Sequence, residues 1–287
     1  MPGYFLYHSI GTFPGKAECM AAALSEFSGV WSAEDDGQWP AALAARQRFI
    51  DAWSRLIDAP QGTLTTAENV TSALYSLIGG LPSARLAGKR LLVAADCFPS
   101  LHFLLAGLAE RFDFVLDTVP LRPGESWVSD EDFIARWQDD VGLALLTFVT
   151  STASHRCDVA RLAEHGRKMG SIVGVDITQG VGVTPFSIAK TPVDFVVSTS
   201  LNGCAALRAP ASCRWRPICC PPAGRNFADG SANRTRSPGI STVFPMQAMR
   251  DVSTMGHRPS WPASHRCPAL NGSQKQASTP SAHRMPA

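Results

Sequence analysis

The chain has 287 residues, a formal net charge of +2 and 45% hydrophobic residues. These averages describe an ordinary soluble protein with one large domain, or with a large and a small one. No apolar run reaches the ~18 residues that a membrane-spanning helix requires, so no such helix is predicted.

The averages conceal an abrupt change in composition after residue 202. Residues 1–202 contain 15 Lys and Arg against 22 Asp and Glu, a net charge of −7, whereas residues 203–287 contain 11 against 2, a net charge of +9. The second stretch also holds 5 of the 8 Cys and 11 of the 21 Pro. Two parts of one globular domain rarely differ so much, so residues 203–287 are predicted to have little stable structure.

In chain order, two predicted helices are followed by a regular alternation of strands and helices. Apolar residues at helical spacing predict helices over residues 17–27 and 41–57, with an acidic loop over residues 31–40 between them. Strands are predicted at residues 63–66, 90–95, 112–116, 142–149, 172–175 and 194–201. The helices between them are predicted at residues 70–78, 101–111, 130–137 and 159–169. This alternation predicts an α/β fold, in which a mostly parallel sheet carries helices on both faces.

Polar residues follow the last two predicted strands. Asp176 ends the apolar run over residues 172–175, and Asn202 follows the run over residues 194–201. Because open α/β sheets bind ligands at the carboxyl ends of their strands, both side chains are candidates for a binding site. For Asp176, a helix cap or an acidic loop residue is the structural alternative.

Asn69-Val70-Thr71 stands at a predicted helix N-terminus, after a polar turn. Free backbone N–H groups and a hydroxyl there suit a phosphate group. A threonine that merely caps the helix is the alternative.

The order of these features resembles the fold-type I pyridoxal-phosphate (PLP) enzymes of the class V aminotransferase group, and most of all kynureninase and its relatives. The resemblance covers residues 4–201 and rests on Asn69-Val70-Thr71, Phe98-Pro99-Ser100 and Asp176-Ile177-Thr178-Gln179. It implies that residues 41–202 are part of the large PLP-binding domain, incomplete at its C-terminal end. Residues 1–40 are then an N-terminal arm, and residues 203–287 an aberrant tail without a fold.

The resemblance also implies roles for particular residues. Val70 and Thr71 match positions that hold the cofactor phosphate, and Phe98 matches an aromatic residue that stacks on the pyridine ring. Asp176 matches the carboxylate that pairs with the pyridine nitrogen. Gln179 matches a position that is His in most kynureninases and Gln in many cysteine desulfurases. The small polar loop over residues 150–154 matches a segment near the cofactor's phenolic oxygen.

Asn202 stands where the resembled group has its Schiff-base lysine, so covalent binding of PLP is not expected here. One permitted coding of residues 202–211, with one adenine inserted into the first codon, reads Lys-Trp-Leu-Cys-Gly-Thr-Pro-Gly-Ala-Gly, which is a motif of that group. In the same shifted frame, residues 251–259 can read Arg-Phe-Asp-His-Gly-Thr-Pro-Ser. Two matches in one frame, at the residue where the composition changes, predict a single-base deletion followed by out-of-frame translation.

The functional expectation is an enzyme-like chain that is inactive. Intact relatives are expected to bind an amino-acid substrate as homodimers, with kynureninase-like hydrolysis of a C–C bond as the first reaction class. Aminotransferase or cysteine desulfurase chemistry is the alternative reaction class. A second alternative is that the chain is a non-catalytic cofactor-binding protein or a non-functional truncated product. Neither nucleic acid nor a membrane is an expected partner.

Two further expectations concern cysteine chemistry and the tail. The wide spacing of Cys19, Cys97 and Cys157, with no targeting segment after Met1, predicts a cytoplasmic protein with reduced thiols. The tail's cysteines and histidines have no paired Cys-x-x-Cys spacing, so no metal site is predicted from them.

Overall fold

The computed structural model describes residues 9–204 and the backbone of residues 211–215. Most of the predicted tail, with Cys219, Cys220, Cys267, His257 and His265, lies outside the described residues. Within residues 9–204, no helix combines the length and the apolar character that crossing a membrane requires. The same residues contain no group of three or more His, Cys, Asp or Glu side chains that could hold a metal ion.

Strands and helices alternate from β1 to β5, and β6 and β7 follow β5 without a helix between them. The helices are α1 (Lys16–Trp31), α2 (Gln38–Leu56), α3 (Val70–Gly79), α4 (Pro99–Ala109), α5 (Asp130–Arg136) and α6 (Val159–Met169). The strands are β1 (Leu64–Ala67), β2 (Lys89–Ala94), β3 (Phe114–Val119), β4 (Val141–Thr147), β5 (Ile172–Asp176), β6 (Phe195–Ser198) and β7 (Ala211–Trp215). The predicted alternation is confirmed for residues 63–201. The predicted loop over residues 31–40 is shorter, since α1 continues to Trp31 and α2 begins at Gln38.

The seven strands form one sheet in the order β1-β7-β6-β5-β4-β2-β3. The pairs β2–β3, β2–β4, β4–β5 and β5–β6 are parallel, and β7 pairs antiparallel with both β1 and β6. This confirms a mostly parallel α/β sheet.

The structure differs from the predicted tail at β7. Ala211–Trp215 is a strand inside the stretch for which little stable structure was predicted, and it adds a strand to the expected incomplete sheet. A backbone that is hydrogen-bonded on both sides can form a strand without a recognisable side-chain period, so this strand could not be predicted from the sequence pattern.

Helices cover both faces of the sheet, and two apolar cores result. Leu92 packs in a core with α2, α5 and α6, whereas its neighbours Leu91 and Val93 pack in the other core with α3 and α4. This alternation follows from the two-residue period of a strand. The central strands β4, β5 and β6 are buried on both faces, which explains why their sequences are nearly continuous apolar runs.

A glycine in β5 allows close packing beside the site. A Cβ atom built on Gly174 would lie 2.1 Å from the Phe195 ring of the neighbouring strand β6. Any larger residue would therefore push β5 and β6 apart. The carboxyl ends of these two strands carry Asp176 and, four residues beyond β6, Asn202.

Candidate functional site

A cavity of about 690 Å³ lies at the carboxyl ends of the parallel strands, beside the N-termini of α3 and α4. All six residues singled out from the sequence line it, namely Val70, Thr71, Phe98, Asp176, Gln179 and Asn202. The structure thus brings together segments that are more than 130 positions apart in the chain. This is the edge at which an open α/β sheet is expected to bind a ligand.

The N-terminus of α3 forms one wall of the cavity. The side chain of Asn69 caps the helix by accepting a hydrogen bond from Ser72 N at 2.8 Å. Thr71 is therefore not the cap, and its hydroxyl donates instead to Ser100 Oγ of α4 at 3.2 Å. The first-turn N–H groups of a helix have no intrahelical acceptor, so those of Val70 and Thr71 are suited to bind an anion in the cavity.

Phe98 precedes α4, and 47% of its surface is exposed. A phenylalanine at a strand end usually packs in the core, but here it contributes an apolar wall to the cavity. An exposed aromatic ring beside a polar cavity is suited to pack against a planar ligand.

Asp176 is the last residue of β5 and is only 6% exposed. Its Oδ1 accepts a hydrogen bond from Thr178 N at 2.9 Å. Burial raises the pKa of the Asp176 carboxyl above its usual value, and hydrogen bonding by Thr178 offsets this only in part. No Lys, Arg or His of residues 9–204 forms an ion pair with it. Asp176 is therefore a buried acid, without a cationic partner among residues 9–204, rather than a surface acid or a helix cap.

Gln179 and Asn202 meet inside the cavity. Asn202 is 6% exposed, and its Nδ2 donates a hydrogen bond to Gln179 Oε1 at 3.2 Å. The backbone beyond Asn202 is closely packed, because a Cβ atom on Gly203 would lie 2.3 Å from Val181 O. Position 202 therefore presents a side-chain amide, close to Gln179, where the resemblance implies the amine of a lysine.

Several lining residues were not predicted from the sequence as site residues. They are Ser9, Glu68, Asn69, Ser72, Ser100, Thr147, Val149, Ser151, Thr178, Thr199 and Leu201. Ser151 belongs to the polar loop that the resemblance places near the cofactor, whereas His155 lies outside the lining and stacks on Trp127. For most of the others the only sequence signal is a hydroxyl or an amide near a strand end or a helix N-terminus, and Val149 and Leu201 have no such signal.

The charges of the lining are unbalanced. Among the residues that the structure describes, Glu68 and Asp176 are the charged members, and no Lys, Arg or His lines the cavity. A negatively charged ligand group can thus be held only by hydrogen-bond donors in this part of the chain, chiefly at the N-terminus of α3.

Comparison with curated proteins finds kynureninases. The chain is 30% identical to kynureninase from Geobacillus thermodenitrificans over 174 residues, which are 51% of this chain and 39% of the relative. It is 23% identical to kynureninase from Xanthomonas axonopodis pv. citri over 202 residues, which are 68% of this chain and 48% of that one. The chain thus spans less than half the length of these curated relatives. No family model matches the chain.

Comparison with solved structures finds PLP proteins of cysteine metabolism. The cystine C–S lyase C-DES, in complex with its product cysteine persulfide, has a TM-score of 0.64 at 19% identity, over 75% of this chain and 57% of that one. A second structure of C-DES, a mutant, has glycine covalently linked to its PLP cofactor. Cysteine desulfurase from Thermococcus onnurineus NA1 has a TM-score of 0.63 at 16% identity, over 75% and 53% of the two chains.

These comparisons confirm the resemblance and the fold. In sequence the chain is kynureninase-like, and in fold it matches class V, fold-type I PLP enzymes over three quarters of its length. PLP is therefore the cofactor that the similarity to these proteins implies.

Proposed function

We propose that the chain binds PLP without a covalent bond, at the cavity between α3 and the carboxyl ends of β5 and β6. Its intact relatives would be kynureninase-like enzymes acting on an amino acid. In this chain, turnover is negligible because Asn202 replaces the lysine. The observation that supports this best is the contact of Asn202 with Gln179, 3.2 Å apart, in the cavity that Asp176 also lines.

The described residues fit the cofactor at three points. Asp176 would accept a hydrogen bond from the protonated pyridine nitrogen, which would give this buried carboxylate a cationic partner that residues 9–204 do not supply. The N–H groups of Val70 and Thr71, with the Thr71 hydroxyl, would hold the phosphate. Phe98 would pack against the ring from the wall of the cavity.

The cofactor, when bound, supplies a protonated ring that accepts electrons from a substrate carbanion. Asp176 serves this chemistry because an ionised carboxylate beside the ring nitrogen favours the protonated ring. Asn202 cannot take the lysine's part, since the lone pair of an amide nitrogen is delocalised and neither attacks a carbonyl nor accepts a proton at neutral pH. The chain is thus equipped to bind and orient but not to transfer the proton.

Covalent attachment is the decisive measurement. After incubation with PLP and reduction with borohydride, mass spectrometry is expected to find no cofactor attached at residue 202. The variant N202K is expected to gain one equivalent of attached cofactor and a visible absorbance. Attachment to the unaltered protein at a rate similar to N202K would overturn the proposal.

A cysteine desulfurase or aminotransferase ancestry is the second candidate. It is supported by Gln179, which is common at this position in desulfurases, and by the fold similarity to C-DES and to cysteine desulfurase. The gene with one base restored in codon 202 would encode a protein to assay. Release of alanine from kynurenine supports the first candidate, and release of sulfur from cysteine supports the second.

Sequencing the gene at codon 202 tests the proposed deletion. A reading frame in genomic DNA that encodes residues 203–287 as they stand, in repeated isolates, would exclude a sequencing error.

We also propose that intact relatives are homodimers. Loss of the native C-terminal part would remove dimer contacts, so this chain is expected to dimerise more weakly than they do. Sedimentation of the two proteins measures that difference.

A further inference from the structure

The carboxyl of Asp176 is held by its own chain, two residues further on. Thr178 N donates a hydrogen bond to Asp176 Oδ1 at 2.9 Å, as in an Asx turn. Among residues 9–204 this is the only donor in hydrogen-bonding geometry with the carboxyl, so Oδ2 is left for a ligand in the cavity that Asp176 lines. A single backbone donor gives little support to a buried carboxylate that has to be ionised.

The side chain of Thr178 carries a hydroxyl without a use in the cofactor-free protein. Its Oγ1 is buried and forms no hydrogen bond within residues 9–204. Such atoms are rare in folded proteins, because burial removes their hydrogen bonds to water. Since Oγ1 is closed off from solvent, a ligand in the cavity would reach it only after a rearrangement, whereas the Asp176 carboxyl already contacts the same residue.

Ionisation of Asp176 would give this hydroxyl a strong acceptor. Burial raises the pKa of the Asp176 carboxyl, and the hydroxyl and the backbone N–H of Thr178 both lower that pKa in part. A hydrogen bond to a charged acceptor is roughly twice as strong as one between neutral groups, so the hydroxyl gains most when the carboxyl loses its proton. Two titratable groups of other elements lie around Asp176. They are Glu68, which also lines the cavity, and Cys97, whose thiol pKa is raised to about 12 by burial and by the charges of Asp96 and Asp176.

Resting on the function proposed above, we propose that Thr178 is a positioning residue for Asp176. Its backbone N–H fixes the direction of the carboxyl, and its hydroxyl donates to the carboxylate once this is ionised. Together the two donors stabilise the charged form and keep Oδ2 available to the ring nitrogen of the cofactor. The chain thereby supplies part of the stabilisation that a cation would otherwise give to this buried acid.

Titration of Asp176 in the cofactor-free, full-length protein tests the role of the hydroxyl. The carboxyl carbon is followed by 13C NMR and is assigned by its absence from D176N. T178V keeps the shape of threonine without the hydroxyl and should move the midpoint of the titration to higher pH, and T178A should do the same. T178S, which keeps a hydroxyl, should restore the midpoint, and T191V, outside the cavity lining, should leave it unchanged. An unchanged midpoint in both T178V and T178A would overturn the proposal.

The pH dependence of PLP binding separates positioning from other roles of Thr178. Because binding requires ionised Asp176, T178V should bind PLP about tenfold more weakly than the unaltered protein at a pH below the midpoint of the titration, and the difference should disappear above it. A hydroxyl that contacts the ligand or merely supports the fold would cost the same affinity at every pH, and that result would overturn the proposal. Absence of PLP binding by the unaltered protein would overturn the proposed cofactor site, whereas the titration would still decide the role of Thr178.

Discussion

The buried carboxylate of Asp176 lowers the stability of the cofactor-free protein, and the proposed cofactor would offset that cost. Its carboxyl is buried, and burial raises its pKa above the unfolded value of about 3.9. The folded state therefore binds the proton more tightly than the unfolded state does. Stability falls as the pH rises from the unfolded pKa through the raised folded pKa, and the loss persists at higher pH. A positively charged ring nitrogen in the cavity would remove that cost.

The variant D176N is expected to be more stable than the unaltered protein at pH 8, in the absence of cofactor. The amide is neutral at every pH, so the difference in melting temperature should grow as the pH rises through the raised pKa and then stay constant. PLP binding should weaken at least tenfold. Thermal unfolding between pH 4 and pH 8 measures the first effect, and D139N, at an exposed site, is the control. A D176N protein that is less stable at pH 8 would contradict the argument.

Cysteine reactivity is a second consequence at the scale of residues. Burial raises the pKa of the Cys97 thiol to about 12, and it raises the pKa of the Cys157 thiol to about 12 as well. Cys19 is exposed on α1. Because the thiolate is the reactive form, iodoacetamide at pH 8 should label Cys19 at least tenfold faster than Cys97 or Cys157. Peptide mass spectrometry over time measures this, and denaturant should equalise the rates.

At the scale of elements, an ionic network joins β2, β3 and α5. Asp117 of β3 is 8% exposed and is paired with Arg90 of β2 and with Arg136 of α5, whose Nε donates to it at 2.7 Å. Arg90 also pairs with Asp140, at 2.5 Å. The network fixes the edge strand β3 and α5 against β2, away from the cavity.

The variant D117N is expected to destabilise the protein by about 2 kcal/mol. Two arginines lose their shared carboxylate, and the cost stays below that of a fully buried pair because Arg136 is half exposed. Urea unfolding measures the change. E164Q, which breaks an exposed pair with Lys168 on α6, should leave the midpoint unchanged. Equal effects of D117N and E164Q would show that the network contributes nothing.

Some elements could be predicted because their signals are local. The predicted helix at residues 159–169 matches α6, since Asp158 caps its start and Gly170, with φ of 73°, ends it. The strand predicted at residues 112–116 is instead β3 at Phe114–Val119, because Asp113, with φ of 53°, turns the chain before the strand. A positive φ at a residue other than glycine has no reliable sequence signal.

The features of the candidate site also divide into those that could be predicted from local sequence patterns and those that could not. Asp176 and Asn202 follow continuous apolar runs, so their place at a sheet edge could be predicted from the sequence. The contact of Thr71 with Ser100 joins the N-termini of α3 and α4 across 29 positions, and the contact of Asn202 with Gln179 spans 23. These contacts depend on how the elements pack, which local patterns do not specify.

At the scale of the whole molecule, β7 connects β1 to the parallel part of the sheet. β1 pairs with β7 over four residues and β7 pairs with β6 over four, and among the described strands β7 is the only neighbour of β1. The N-terminus of α3, with Val70 and Thr71, begins three residues after β1. The position of the proposed phosphate site thus depends in part on a strand that follows Asn202.

The variant C213P tests whether that strand is part of the folded protein. Cys213 is aligned with Thr65 of β1 and with Val197 of β6, so a proline there removes a ladder hydrogen bond inside the sheet. The expected loss is about 3 kcal/mol relative to C213S, which keeps the backbone N–H. Thermal unfolding of the two variants measures it, and binding of the cofactor should weaken in C213P alone, since β1 carries the start of α3. Equal stability of C213P and C213S would mean that the sheet ends at β6, and the segment beyond Asn202 would then contribute nothing to the fold.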